Sequence, residues 1–226
     1  MLLASVPFVR FVQLIAGSAQ PLLRDSQIRA YLATILTGVL ALTLYRTATQ
    51  DGAVELSFRE ALFNVTSIIS GTGYSSANYE AWGAVSVVIF FLAGLVGGCA
   101  GSTSCSIKVF RYQLLFSSIA TQVRRLYTPH GVFEPRYQGR SVPEDVLSSV
   151  MAFFVLFFVT LALIAVLLGL TGLDFLTSIS GASATLANIG PGLGPEIGPE
   201  GNYADLPLSA KWIMIAAMLI GRLELV

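Results

Sequence analysis

Residues 81–107 carry no charged side chain, and neither do residues 146–173. Uncharged runs of this length limit the fold more than any other feature, because a helix needs about 20 apolar residues to cross the hydrocarbon core of a bilayer. Two further apolar segments accompany them. One lies between Arg29 and Arg46, and the other starts at Lys211 and runs to the chain end, apparently mid-helix. Charged residues make up 12% of the chain, against roughly 25% in soluble domains. Lipid is therefore the expected main solvent. A formal net charge of zero argues against nucleic acid as a partner.

Several chemistries are excluded early. Cys99 and Cys105 form no CxxC pair, and His130 is the single histidine. A disulfide framework, a zinc site and a Cys/His nucleophile are all unsupported. No acid/base cluster is present, so an enzyme is not expected. A secretory leader is not expected either, since the first residues lack a basic segment and Arg10 interrupts the apolar run.

Between the spans lie two apolar segments too short to cross, residues 58–69 ("FREALFNVTSII") and 174–186 ("DFLTSISGASATL"). Both suit re-entrant half-helices, with Asp174 near an N-terminus where a carboxylate is favourable. The alternative is an amphipathic surface helix. The two regions read as one unit written twice. Phe58 and Phe175 open the short helices, Gly73 and Gly190 follow at the same offset, and Trp82 and Trp212 open the next long helices. A repeat of spanning helix, half-helix, Gly-rich loop and spanning helix is a pore architecture.

Basic residues give the orientation. Arg10, Arg24 and Arg29 precede the first span, and Lys108, Arg111, Arg124, Arg125, Arg136 and Arg140 lie between the second and third. The other loops hold Arg46, Arg59 and Lys211 beside Asp51, Glu55, Glu60, Glu80, Glu196, Glu200 and Asp205. The positive-inside rule places the basic loops in the cytoplasm and the Gly-rich loops outside. The polar connection over residues 121–145, with its four arginines, either docks a soluble subunit or simply satisfies that rule.

Polar backbone at membrane depth is tolerated where it lines water or is buried in protein. "TSIISGTGYSS" (residues 66–76) meets that condition if its carbonyl oxygens replace the hydration shell of a monovalent cation. Taken alone, Gly71-Thr72-Gly73 reads as an ordinary turn; the half-helix before it and the second copy favour the ion-ligating reading. The segment "GLVGGCAGSTSCSIK" (residues 94–108) is poor in helix formers. It is expected to be unwound within the membrane, beneath the ion site, as a movable barrier, with Cys99 and Cys105 as small packing residues. Its alternative is GxxxG helix packing through Gly94 and Gly98. Arg222, in an apolar helix, faces either the pore or, by snorkelling, the interface; Glu224 lies on a different helical face. "NVT" at Asn64 matches a glycosylation sequon, which inside a half-helix is read as coincidence.

Together "NVTSIISGTGYSS", "GGCAGSTSCSIKVFRYQ", "FEPRYQGRSVPEDVL", "ATLANIGPGLG" and "GRLEL" resemble the C-terminal half of the potassium uptake subunits of the Trk/Ktr/HKT superfamily. The resemblance implies an all-α, multi-pass cell inner membrane protein built from membrane-helix, pore-helix, membrane-helix repeats. It implies that residues 1–27 are the cytoplasmic-side tail of a preceding repeat, 28–125 the third repeat, 126–143 a cytoplasmic linker and 144–226 a truncated fourth repeat. It assigns the potassium filter to Ser70, Gly71, Thr72, Gly73 and Tyr74 with Ala187, Asn188, Ile189, Gly190 and Pro191; Gly71, Thr72, Asn188 and Ile189 would ligate K⁺. The gating loop would comprise Gly97, Gly98, Cys99, Ala100, Gly101, Ser102, Thr103 and Ser104, with Arg222 beside the pore. K⁺ would be the transported ion, with no other cofactor. A homodimer and a cytoplasmic regulatory subunit binding NAD or ATP are the implied partners. The family loop is typically richer in glycine where this chain has Cys105-Ser106. With half the repeats, the alternatives are a non-conducting fragment that needs partner chains, or an anion transporter with reversed half-helices.

Overall fold

The computed structural model describes residues 1–49, 53–128 and 131–223; Asp51, His130 and Glu224 lie outside the described residues. After a 3₁₀ turn (Leu2–Ser5), the chain forms α1 (Phe8–Ile15), α2 (Gln20–Arg24), α3 (Ser26–Thr49) and α4 (Val54–Ser70). A second 3₁₀ turn (Tyr79–Trp82) leads to α5 (Ala84–Leu95) and α6 (Val109–Tyr127). Strands β1 (Arg136–Tyr137) and β2 (Arg140–Ser141) then precede α7 (Glu144–Gly169), α8 (Phe175–Leu186) and α9 (Leu208–Arg222).

Two of these helices, α3 and α7, are long and apolar enough to span a bilayer. At about 1.5 Å per residue, the 24 residues of α3 and 26 of α7 exceed a hydrocarbon core of roughly 30 Å. Local chemistry fixes several ends. Glu144 and Asp145 occupy the first turn of α7, where carboxylates complement the helix dipole. Asp174 caps α8 by accepting from the Thr177 N–H at 3.3 Å. Helix α4 stops at Gly71 in the left-handed region (φ 71°), a conformation glycine adopts without steric cost.

The observed elements revise two expectations, match the expected break after α5 and decide against one alternative. Helix α4 begins at Val54, earlier than Phe58, because Ala53 and Val54 carry no breaker. The uncharged run over 81–107 is not one spanning helix: α5 ends at Leu95 ahead of the Gly97-Gly98 pair and helix resumes at Val109. Gly98 therefore lies outside any helix, so the GxxxG reading does not hold. The polar connection starts inside α6, and contains a hairpin pairing Arg136 with Ser141 and Tyr137 with Arg140. Its turn places Gln138 and Gly139 at positive φ, as a two-residue hairpin turn requires.

Packing follows the repeat. Helix α3 lies against α4 and α5, α7 against α8 and α9, and α5 bridges to α8. Two apolar cores result, and each borrows from the other. Ala187, Ile189 and Leu193 of the second unit enter the first core, while Leu95, Ile107 and Leu114 enter the second. The distribution of polarity is inverted relative to a water-soluble domain. Leu36 and Leu44 on α3, and Val155, Val159, Leu163 and Val166 on α7, are exposed. The short helices instead bury Asn64, Thr66, Ser67, Ser70, Thr177, Ser180, Ser183 and Thr185. Apolar outside and polar inside is the arrangement lipid selects, because nothing in the hydrocarbon competes for the buried hydroxyls. It also excludes the surface-helix alternative for α4 and α8, whose final turns are buried all round.

Asn64 shows how such polarity is satisfied. Its Nδ2 donates to the Glu60 carbonyl at 2.8 Å and to Ser76 Oγ at 3.0 Å, and its Oδ1 accepts from the Ser76 N–H at 3.0 Å. Its amide is fully buried, so the sequon is unavailable to a glycan. Replacing Asn64 by Ala should destabilise the fold by about 1–3 kcal/mol. The measurement is the thermal midpoint in detergent, and an unshifted midpoint would contradict this role.

Candidate functional site

At the C-terminal ends of α4 and α8 the chain turns in the same way twice. The Gly71 N–H donates to the Ile68 carbonyl at 3.0 Å and the Thr72 N–H to the Ser67 carbonyl at 2.9 Å. In the second unit the Asn188 N–H donates to the Thr185 carbonyl at 3.2 Å and the Ile189 N–H to the Ala184 carbonyl at 2.9 Å. Each of these four pairs is displaced along the chain by the same interval that separates Gly73 from Gly190. Positive φ recurs at that interval too, at Gly71 (71°) and Asn188 (52°), then at Gly73 (78°) and Gly190 (115°). The weak sequence repeat is thus a repeat of backbone conformation. Asn188 tolerates the left-handed region as a short polar side chain can, and its Nδ2 is held by the Met218 carbonyl on α9 at 3.1 Å.

The two strands lie side by side. A Cβ at Gly73 would sit 2.3 Å from the Ile189 carbonyl oxygen and 3.0 Å from Pro191 Cδ, and one at Gly190 would touch the Gly73 Cα at 3.7 Å. A Cβ at Gly71 would lie 3.8 Å from the Asn188 oxygen. At Gly73 both the close approach and the positive φ demand glycine. The donors here are turned back onto the helix ends. Among the described residues, the carbonyls of Gly71, Thr72, Gly73, Asn188 and Ile189 accept no hydrogen bond. Also among the described residues, no group of three or more His, Cys, Asp and Glu side chains comes together, so the oxygen-rich feature here is backbone. Both half-helices reach it with their C-terminal, partially negative ends; the reversed polarity that an anion site would need is not observed.

Of the residues expected in the first strand, Ser70 is buried, and its Oγ lies 2.7 Å from Thr72 Oγ1. Tyr74 is exposed at the outer end. Ala187 and Ile189 are buried in the first core.

Residues 96–108 form the expected non-helical loop. Val96 and Ile107 pair in parallel, with Gly97 N–H to the Ile107 carbonyl at 2.9 Å and Ile107 N–H to the Leu95 carbonyl at 3.3 Å. Ser106 takes a positive φ of 66° and donates to the Gly94 carbonyl at 2.7 Å. Ser104 Oγ accepts from the Gly98 N–H at 3.0 Å and sits 3.9 Å from the Cβ position of Gly71. The loop therefore adjoins the first strand. Its far side is held by residues the sequence did not mark. The Cys99 N–H donates to the Ser5 carbonyl at 3.0 Å, Thr103 N–H to Ala4 at 3.2 Å, Phe8 N–H to Gly101 at 3.1 Å, and Ala100 N–H to Gln27 Oε1 at 2.9 Å.

Arg222 meets this loop. Its Nη1 donates to Cys105 Sγ at 2.7 Å and reaches the Thr103 carbonyl at 3.4 Å. A cavity of about 220 Å³ lies there, lined in part by Ser102, Ser104, Lys108, Phe153, Leu186 and Arg222. The reading of both cysteines as packing residues holds for Cys99, which is fully buried, and fails for Cys105, which is half-buried and accepts from a guanidinium. The near neighbours of Arg222 are in the loop, which sequence distance alone hides.

At the outer side, Glu80 Oε1 accepts from the Gly194 N–H at 2.6 Å, and the Tyr203 hydroxyl donates to the Gly190 carbonyl. Burial pushes the Tyr203 phenol up to about 12. Burial also raises the Glu80 carboxyl above its ordinary value, against the lowering effect of the Gly194 N–H.

The family described as "TrkH: Cation transport protein" matches residues 11–226. The Trk system potassium uptake protein TrkI of Halomonas elongata is 44% identical over 225 residues, covering all of this chain and 46% of that protein. The Trk system potassium uptake protein TrkH of Escherichia coli strain K12 is 32% identical, covering 89% of this chain and 41% of its own length. The crystal structure of the potassium transporter TrkH from Vibrio parahaemolyticus superposes with a TM-score of 0.91 at 29% identity, over 99% of this chain and 48% of the other. The chain spans a little under half the length of the relatives it matches.

The raised Glu80 pKa has a signed consequence. A carboxyl whose folded pKa exceeds its unfolded one favours the folded state below the ordinary carboxylate range, and that contribution is lost as pH rises through the raised value. Relative to Glu80→Gln, the thermal midpoint of the unaltered protein should fall as pH goes from about 4 to about 7. A difference that stays flat with pH would rule this out.

Proposed function

The chain belongs to the TrkH family of cation transport proteins, and from that premise we propose that it is the C-terminal half of a potassium-translocating pore in the cell inner membrane. Its relatives are uptake proteins and a transporter, and no enzyme activity is assigned. The observation that carries the reading is the pair of strands with one repeated conformation, side by side, whose Gly71, Thr72, Gly73, Asn188 and Ile189 carbonyls are left without donors among the described residues.

In this reading Ser70, Gly71, Thr72, Gly73 and Tyr74 and Ala187, Asn188, Ile189, Gly190 and Pro191 are two of the filter strands, with Gly71, Thr72, Asn188 and Ile189 ligating K⁺. Carbonyl oxygens replace water around the dehydrated ion. The C-terminal ends of α4 and α8 add negative potential behind them. The bonds from Thr72 and Ile189 N–H to the helix ends support this role, because they keep donors from competing with the cation for those oxygens.

Below the filter, Gly97, Gly98, Cys99, Ala100, Gly101, Ser102, Thr103 and Ser104 form the gate. The Arg222 guanidinium holds the gate closed through Cys105 and Thr103, and its charge opposes cation entry. Opening requires those contacts to be exchanged. Residues 1–27 belong to a preceding repeat, 28–125 and 144–226 to the third and fourth, and 126–143 to the cytoplasmic linker. The α6 end and hairpin, with Arg124, Arg125, Arg136 and Arg140, offer a basic face for a nucleotide-binding regulatory subunit, and the whole assembles as a homodimer.

A second reading is favoured by the chain's coverage of its relatives: alone it is non-conducting, and it needs the first two repeats or another copy to close the ring. The purified chain in a bilayer should then pass no cation, and co-expression of the missing repeats should restore flux.

The filter assignment is tested by rubidium uptake in cells deficient in potassium uptake, using the assembled four-repeat protein. Gly73→Asp puts a carboxylate among carbonyl oxygens where even a Cβ has no room. Uptake should fall at least about 100-fold, and Gly190→Asp should act similarly. Uptake surviving both substitutions would sink the assignment.

A further inference from the structure

The loop over residues 191–207 covers the outer end of the second strand and is rich in glycine and proline. It contains no helix or strand, so its shape depends on individual hydrogen bonds. Three of these come from the first repeat's outer segment: Glu80 Oε1 accepts from the Gly194 N–H at 2.6 Å, Ser75 Oγ donates to the Pro199 carbonyl at 2.8 Å, and Asn78 Nδ2 donates to Glu200 Oε2 at 3.1 Å. Ser180 of α8 clamps the loop from beneath, accepting from the Leu193 N–H at 2.9 Å and donating to the Leu193 carbonyl at 2.8 Å. The loop then returns Tyr203 to the strand, where its hydroxyl donates to the Gly190 carbonyl.

That last contact is asymmetric between the repeats. Among the described residues, Gly190 is the one carbonyl of the two glycine-containing turns that is held by a side chain; its counterpart Gly73 has no such donor. Gly73 is held from its own helix, its N–H donating to the Ser67 carbonyl at 3.3 Å, and it also packs against the second strand. Its backbone packs against Ile189 and Pro191 closely enough to leave no room for a Cβ, and against Gly190 at an ordinary contact distance. The Tyr203 hydroxyl therefore fixes the second strand at Gly190, against which the outer end of the first strand packs. Glu80, a carboxylate close to this outer end, is directed to a backbone N–H. It holds the loop that carries Tyr203.

Resting on the filter reading above, we propose that Tyr203 and Glu80 are positioning residues for cation selection: the clasp they form across the two repeats sets the spacing of the outer carbonyls. Discrimination between K⁺ and Na⁺ depends on the number and placement of carbonyl dipoles around the ion. A strand freed at Gly190 closes around the smaller ion more readily. Tyr203→Phe deletes the donor and keeps the ring. Glu80→Ala deletes the acceptor, whereas Glu80→Gln keeps a carbonyl oxygen for Gly194.

The readout is the ratio of rubidium to sodium uptake by the assembled four-repeat protein, which is independent of expression level. Losing one hydrogen bond at this point should lower the ratio roughly five- to tenfold in Tyr203→Phe and in Glu80→Ala. Glu80→Gln should return the ratio to its original value. A Tyr203→Phe protein with an unchanged ratio overturns the proposal while leaving the filter reading intact, provided Gly73→Asp still abolishes uptake. Uptake that survives both Gly73→Asp and Gly190→Asp overturns both. Equal loss of the two ions, or a Tyr203→Phe protein that never reaches the membrane, also counts against the clasp, because either makes the hydroxyl a structural requirement. So does a Glu80→Gln protein that behaves as Glu80→Ala.

Discussion

Each half-helix of this protein ends by spending the next few backbone N–H groups on its own last carbonyls. Thr72 and Gly73 both bond back to Ser67, and Ile189 bonds back to Ala184. In hydrocarbon an unsatisfied N–H costs several kcal/mol, so a chain that leaves helical conformation at membrane depth must either do this or find another partner. Doing so consumes donors and leaves acceptors. Non-helical backbone at this depth is therefore rich in free carbonyls, which is the chemistry a dehydrated cation needs. The rest of the molecule maintains that state: α3 and α7 wall the short helices from lipid, α5 and α9 press against them, and the two cores exchange residues so that the strands meet.

The second region of irregular backbone obeys the same rule by a different route. Residues 96–108 are closed by the Val96–Ile107 pair and by Gly98 N–H to Ser104 Oγ, and the Cys99, Thr103 and Ala100 N–H groups are met by Ser5, Ala4 and Gln27 from the start of the chain. These are contacts between segments distant in sequence. The strand conformation, by contrast, is closed within one helix and its cap. Arg222, reaching Cys105 and Thr103 from α9, ties the loop to the second repeat.

Much of this was legible beforehand. The long uncharged runs, the polar short helices and the recurrence of Phe58 and Gly73 as Phe175 and Gly190 gave the repeat, because lipid exposure and left-handed glycine each leave a mark on residue type. The break after Leu95 was expected from its poor helix formers. What escaped was whatever depended on a partner. The hairpin at Gln138-Gly139 sat inside a stretch taken as linker. Cys105 looked like a small packing residue until Arg222 appeared beside it. Glu80 counts in the sequence only as a loop charge and Tyr203 carries no mark at all, yet they join the outer loops.

By itself the sequence determined which segments face lipid, which turn back, and where the backbone needs glycine, since each of these follows from local composition under the solvation rule of a bilayer. The tertiary structure decided which carbonyls remain free, which loop touches which strand, and which side chains across a separation as large as Glu80 to Gly194 hold the arrangement in register. Those outcomes depend on donors and acceptors meeting in space. Helix ends and turns can supply either, and only the packing of the two repeats against one another selects the pairs.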